Sequence, residues 1–202
     1  MSLYSDFFGA GGGGGLTPKF QEFTSSGNFT PSDELIAAGG LVEVFIVGGG
    51  QRGASSSAGG CGGEIHQDCI TLTTTDSCTV NIGAGGASDG DPGSNSVFSG
   101  SMAGGSDITA LGGDGGPSPS NLKTSGAGGY QIFSQSGPFG FVGGGYAYAS
   151  RAASSAGPGF MGYGAGGRAS YTGILEAKAN SGQGSASGNT AGSGYCLIKW
   201  FE

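Results

Sequence analysis

Leu41-Val-Glu-Val-Phe-Ile-Val-Gly-Gly-Gly50 is the stretch on which the fold turns. Its first seven residues are β-branched or aromatic apart from Leu41 and Glu43, the composition of a strand. Three glycines then end the strand at once. This succession of apolar strand and bare backbone predicts a protein built from short strands and extended glycine segments.

Working outward, residues 64–73 and 77–82 read as a strand pair. Ile70 and Leu72 share one face of the first, and Cys78, Val80 and Ile82 share one face of the second. Thr74-Thr-Asp-Ser77 is the turn predicted between them. A second hairpin is predicted from Asn95-Ser-Val-Phe-Ser99, through Gly104-Gly105, to Asp107-Ile-Thr-Ala-Leu111. Phe20, Glu22 and Thr24 alternate with Gln21, Phe23 and Ser25 ahead of Ser26-Gly-Asn28. The chain closes on Gly194-Tyr-Cys-Leu-Ile-Lys-Trp-Phe-Glu202, a terminal strand with Tyr195, Leu197, Lys199 and Phe201 on one side and Cys196, Ile198 and Trp200 on the other. Helix signals are nearly absent; residues 171–180 read as a marginal helix, a strand or a loop.

Glycine accounts for 49 of the 202 residues and proline for 7, a share that by itself suits a low-complexity chain. Twelve Phe, seven Tyr and one Trp, only 10% charged residues, and clean apolar alternation argue instead for an ordered one. The glycine runs between 112 and 194 follow no fixed period, which excludes a regular solenoid and collagen. The formal net charge of −7 opposes contact with phosphate backbones, so no nucleic-acid partner is expected. No apolar run reaches the length of a membrane span, so membrane insertion is not expected. The first fifteen residues lack a basic start and an unbroken apolar run, which predicts no secretory signal.

Glycine in an ordered chain costs conformational entropy, and close approach of backbones is what offsets it. Extended segments like polyproline II without side chains can exchange hydrogen bonds in several directions at once, whereas a sheet bonds only sideways. The expected fold is therefore mainly β. It has a sandwich-like framework of short antiparallel strands, inserted glycine-rich segments resembling polyglycine II, and little or no helix. Residues 1–19 form a flexible attachment arm and 20–202 a single domain. Its strand framework is expected at 20–111 and 194–202, and its glycine-rich segments at 112–193.

Five pieces in this order carry a resemblance: Phe23-Thr-Ser-Ser-Gly-Asn-Phe-Thr30; residues 41–50; Cys78-Thr-Val-Asn-Ile-Gly-Ala-Gly-Gly86 with Gly93-Ser-Asn-Ser-Val-Phe98; Ile108-Thr-Ala-Leu-Gly-Gly-Asp-Gly-Gly116; and Gly192-Ser-Gly-Tyr-Cys-Leu-Ile-Lys-Trp200. Together they resemble the glycine-rich domain of phage tail-fibre and adhesin proteins, over about residues 20–202. The resemblance implies a β-framework from which glycine segments project, and a virion part that in some members binds the host surface. This chain is short and carries the arm 1–19 in place of a long fibre shaft.

No catalytic constellation emerges. His66 is the single histidine and is expected to be solvated or packed on a strand. Gly86-Ala-Ser-Asp-Gly90 matches G-x-S-x-G, but no helix signal follows and His66 precedes it. Asp89-Gly-Asp-Pro-Gly93 begins like a calcium loop, yet Gly93 and Gly100 stand where oxygen ligands are needed. Asn28-Phe-Thr30 fits a glycosylation acceptor. Gly126-Ala-Gly-Gly129 lacks the Lys-Ser/Thr of a phosphate loop. Cys61, Cys69, Cys78 and Cys196 match no zinc or CxxC spacing and read as buried free thiols rather than a disulfide.

The aromatic cluster offers more. Tyr130, Phe133, Phe139, Phe141, Tyr146, Tyr148, Phe160 and Tyr163 lie between glycine runs. Such side chains either grip a receptor or pack between glycine segments. Tyr4, Phe7 and Phe8, ahead of Gly11–Gly15, either attach the arm to another subunit or belong to a frayed end.

The expectation is a non-enzymatic, cofactor-free, metal-free phage virion protein, made in the host bacterial cytoplasm and associated with the tail. Its partners would be other virion subunits and a bacterial surface glycan or outer-membrane protein, with homo-oligomers allowed. The alternative is a capsid or tail decoration protein that only stabilises the particle.

Overall fold

The computed structural model describes residues 15–53, 60–114, 177–185 and 189–202. The described chain is mainly β, with two antiparallel four-stranded sheets and one short helix. The strands are β1 Pro18–Phe23, β2 Gly27–Phe29, β3 Leu41–Val47, β4 Ile65–Thr71, β5 Cys78–Asn81, β6 Ser96–Ser99, β7 Ile108–Ala110 and β8 Tyr195–Phe201; the helix α1 is Asp33–Ala37. One sheet has the order β1-β8-β3-β4, the other β2-β5-β6-β7.

The core lies between the sheets, where alternation places it. Val42, Val44 and Ile46 of β3 and Cys196 and Ile198 of β8 point inward from the first sheet. Phe29, Cys78, Val80, Phe98, Ile108 and Ala110 meet them from the second. Phe29 packs edge-on against Trp200, with ring centroids 5.1 Å apart, an arrangement that suits the ring quadrupoles.

The strand expected at 41–47 is present, as are the antiparallel β6–β7 pair and the closing strand. The hairpin expected from 64–73 and 77–82 is not. β4 pairs with β3, whereas β5 pairs with β2 and β6 in the other sheet. Leu72 still packs in the core, and the polar run 73–77 then crosses between sheets, because the apolar faces of β4 and β5 are needed on opposite sides of one core.

Helix α1 forms where the sequence patterning predicts none, at a start signal in the sequence. Ser32 is its N-cap, accepting from the Leu35 amide at 3.1 Å, and Asp33 and Glu34 sit in the first turn. Leu35 anchors the helix in the core. In the marginal segment 171–180, residues 171–176 lie outside the described residues. Residues 177–180 lead into a turn in which Asn180 takes a left-handed φ of 55°, which Asn tolerates better than most residues.

The glycine segments are excursions from the sandwich. Residues 48–64 connect β3 to β4, 82–95 connect β5 to β6, and 111–194 connect β7 to β8. All leave from one end, and their described parts bond to one another. Segment 48–53 lies at the centre. The amides of Gly48 and Gln51 donate to Glu64 and Cys61; those of Gly49 and Arg52 to Ser94 and Asp91; those of Gly50 and Gly53 to Gly192 and Ser185. Partners change at every residue and the direction returns every third. That is the signature of an extended backbone with three residues per turn. The carbonyls of Gly49, Gly50 and Gln51 accept from Gly113, Gly86 and Ser185. Segment 48–53 thus bonds to 60–64, 83–86, 90–95, 111–114, 181–185 and 191–194.

Such packing leaves no room for side chains. A Cβ on Gly49 would meet the backbone of Ala84, and one on Gly93 the backbone of Gly49, both well inside the 3.0 Å that real Cβ atoms keep. Gly27, by contrast, would make only ordinary contact with Phe23 at 3.4 Å. Gly49→Ala and Gly93→Ala are therefore each expected to lower unfolding free energy by about 3 kcal/mol or more, and Gly27→Ala to change it by under about 1 kcal/mol. Urea denaturation measures this; equal effects at all three positions would contradict the close-packed bundle.

The two chain ends of the first sheet are clasped together. Thr17 and Glu202 exchange both backbone hydrogen bonds. The Glu202 carboxylate accepts from Ser32 and from Trp200 Nε1 at 3.1 Å, and Lys19 stands 3.5 Å away. Chiefly the Ser32 hydroxyl, then the indole and Lys19, hold the carboxyl below the usual glutamate range. A folded-state pKa below the unfolded one means the stabilisation is complete above the unfolded value and is lost as pH falls through the folded one. The melting-temperature gap between wild type and Glu202→Gln is expected to be widest at neutral pH and to close on acidification below pH ~4. A gap that widened in acid would contradict the clasp.

Candidate functional site

Polar side chains serve the bundle where a backbone partner is missing. At its base, buried Ser96 donates to the Val47 carbonyl at 2.7 Å and accepts from the Gly83 amide at 2.9 Å, tying strand β3 to the second excursion. Glu64 accepts from the Leu111 amide at 2.8 Å, and Asn95 from that of Gly112 at 2.9 Å. Higher up, buried Gln51 accepts from the Cys61 amide and donates to the Gly90 carbonyl. These residues were not singled out from the sequence. The available signal was their type, since a polar residue within or beside a glycine run has unpaired backbone groups to satisfy.

The excursions converge at the end remote from the sandwich. The Gly53 and Gly60 amides both donate to the Ser185 carbonyl, at 3.0 and 2.8 Å, and the Gly90 amide donates to that of Gly53 at 3.3 Å. Arg52 reinforces this end, donating from Nε to Asp89 at 2.9 Å and from Nη1 to the Ala87 carbonyl. Described residues Gly53, Gly60, Gly90 and Ser185 thus meet at this end. Residues 115–176 continue from Asp114, which is exposed part-way along the bundle.

The eight aromatic candidates, Tyr130 through Tyr163, lie outside the described residues, and so do Tyr4, Phe7 and Phe8. The other motifs have definite places. Ser88 and Asp89 of the G-x-S-x-G match lie in the turn at the bundle end, where the Ser88 amide donates to Asp91 at 2.9 Å. His66 is on β4 opposite Ile46, in the sandwich. Serine and histidine are thus on different bodies of the molecule, and a nucleophile elbow has neither its helix nor its base. Of the two carboxylates in the calcium-loop-like stretch, Asp89 engages Arg52 and Asp91 engages the Ser88 amide. Among the described residues no group of three or more His, Cys, Asp or Glu converges as a metal site would require. Asn28 lies exposed on β2.

None of the four cysteines forms a disulfide, and three are buried as expected; Cys69 is instead exposed, because it falls on the outward face of edge strand β4. Burial pushes the Cys196 thiol up to about 12. Burial first, and Asp76 to a smaller extent, raise that of Cys78, against a lowering from the Ser101 backbone. Thiolates do the reacting, so a disulfide reagent at pH 8 is expected to modify Cys69 quickly in the native protein and the other three only after unfolding. Fast modification of Cys196 would contradict its place in the core.

The chain matches no protein-family model, and no curated protein shows significant similarity to it.

Proposed function

We propose that this is a non-catalytic, tail-associated phage virion protein that attaches to another virion subunit and helps engage the host surface. The observation that carries the reading is the polarity of the domain. Its glycine excursions converge, through Gly53, Gly60, Gly90 and Ser185, at the end remote from the sandwich. The chain enters at the opposite end, where Thr17 pairs with Glu202 and Pro18 with Phe201. A stiff framework with connections gathered at one end is how binding loops are displayed.

The resemblance to the glycine-rich domain of tail-fibre and adhesin proteins points the same way. The expected arm 1–19 is shortened by the fold, because Thr17, Pro18 and Lys19 pair with Glu202, Phe201 and Trp200 in the first sheet; in this reading the residues ahead of them, with Tyr4, Phe7 and Phe8, serve attachment. The long connection 115–176, with Tyr130, Phe133, Phe139, Phe141, Tyr146, Tyr148, Phe160 and Tyr163, supplies flat apolar area with polar tips for a surface glycan or an outer-membrane protein. No cofactor, metal or nucleic acid has a role.

Recombinant full-length protein is expected to block adsorption of the phage to its host. Tyr146→Ala with Tyr148→Ala is expected to weaken that block about tenfold, a loss typical of interface aromatics, without changing the melting temperature. Failure to block, with label spread over the whole capsid, would replace this reading by that of a decoration protein.

A further inference from the structure

The outward face of the first sheet is unlike the rest of the framework. Val42, Val44, Ile46, Cys196 and Ile198 point into the core, so the alternate residues of the same strands lie on the other face; of these, Val47 and Tyr195 at the bundle end are buried and the rows farther from the bundle are open. Register sets them in rows across β1, β8, β3 and β4. One row is Pro18, Phe201, Leu41 and Thr71; the next is Phe20, Lys199, Glu43 and Cys69; a third is Glu22, Leu197, Phe45 and Gln67. Leu16 (60% exposed), Phe20 (69%), Leu41 (59%) and Phe201 (57%) are the exposed large hydrophobics among the described residues, and Phe20, Leu41 and Phe201 fall in the first two rows. Leu16 lies just ahead of β1, two residues before Pro18. Outward positions of the second sheet are small or polar instead: Asn28, Thr79, Asn81, Val97, Ser99 and Thr109. An apolar patch confined to one sheet face marks an interaction surface.

We infer that this face is the interface of a two-fold symmetric dimer of the chain. The charges at its centre select a second copy. Lys199 and Glu43 are cross-strand neighbours 3.8 Å apart, side by side in the middle row. A two-fold axis running between β8 and β3, parallel to the strands, sets Lys199 of each copy against Glu43 of the other. It also packs Phe201 of each copy against Leu41 of the other as the two sheets stack. The neighbouring charges of the face are of both signs, which suits a copy of itself better than a uniformly charged surface.

Face-to-face closure is favoured over edge-to-edge growth by the chemistry of β1. Thr17 exchanges both hydrogen bonds with Glu202. Pro18 is therefore at a position whose backbone nitrogen points away from β8. Proline has no N–H to offer there, which blunts the edge.

The dimer is independent of the host-binding reading, because its interface is on the sandwich, away from the bundle end. Sedimentation equilibrium of the full-length protein is expected to show a monomer–dimer equilibrium. Phe20→Ser with Phe201→Ser is expected to raise its dissociation constant about tenfold or more. Lys199→Glu, which sets like charges across the axis, is expected to raise it too, and Glu43→Lys with Lys199→Glu to restore it. Melting temperatures of the variants check that each remains folded. A wild type that stays monomeric at about 100 µM, too weak for a specific dimer, would overturn the proposal. So would a charge swap that fails to restore association. Protection of Phe20 in a monomeric wild type would assign the face to another part of the chain instead.

Discussion

Backbone bonded directly to backbone, with nothing between, is the constraint on which the structure depends. Successive amides of segment 48–53 donate in three directions, so the segment must be surrounded before its bonding is complete. Each such bond is worth only about 1 kcal/mol net, and each glycine gives up more conformational freedom than any other residue. Stability therefore comes from many bonds forming together in a lattice that tolerates no Cβ at positions such as Gly49 and Gly93. A methyl group there displaces both of the segments it separates.

Among the described residues such a bundle buries little apolar surface beyond Cys61 and Ala191, and it needs its ends held. The sandwich does that. Every excursion begins and ends on a strand of one core, and Ser96, Glu64 and Asn95 bridge the places where strand bonding gives way to glycine bonding. The dependence runs both ways. β8, the last strand of the chain, lies between β1 and β3, so the first sheet is incomplete until the C-terminal residues arrive. Contacts of this sequence separation form late and slowly. The Glu202 clasp to Thr17 and Ser32 then closes the sheet over the helix cap.

The same arrangement gives the domain two chemically different ends and one distinctive face. At one end Thr17 pairs with Glu202, and at the other Gly53, Gly60 and Gly90 meet around Ser185 beside Arg52. The apolar outward face of the first sheet lies between them, on the side of the sandwich. A dimer through that face would leave both ends free and carry two bundles side by side, so that weak contacts at each would reinforce one another.

Much of this was legible in the residues. Alternation and β-branching located β3, β6, β7 and β8, and the glycine runs announced close backbone approach. Ser32-Asp-Glu-Leu35 spelled a helix start that was overlooked because the helix is only five residues long. Strand partnership was not legible: β4 and β5 look like a hairpin, being adjacent, apolar on one face and joined by turn residues. Pairing is decided by where each strand must bury that face, a property of the whole core. The roles of Ser96, Glu64 and Gln51 were likewise hidden, since which backbone group lacks a partner is known only once distant segments meet. Local residue chemistry thus determined which segments are strands and which are bare backbone. Tertiary structure alone decided which backbones touch, because glycine carries no side chain by which sequence could name its neighbour.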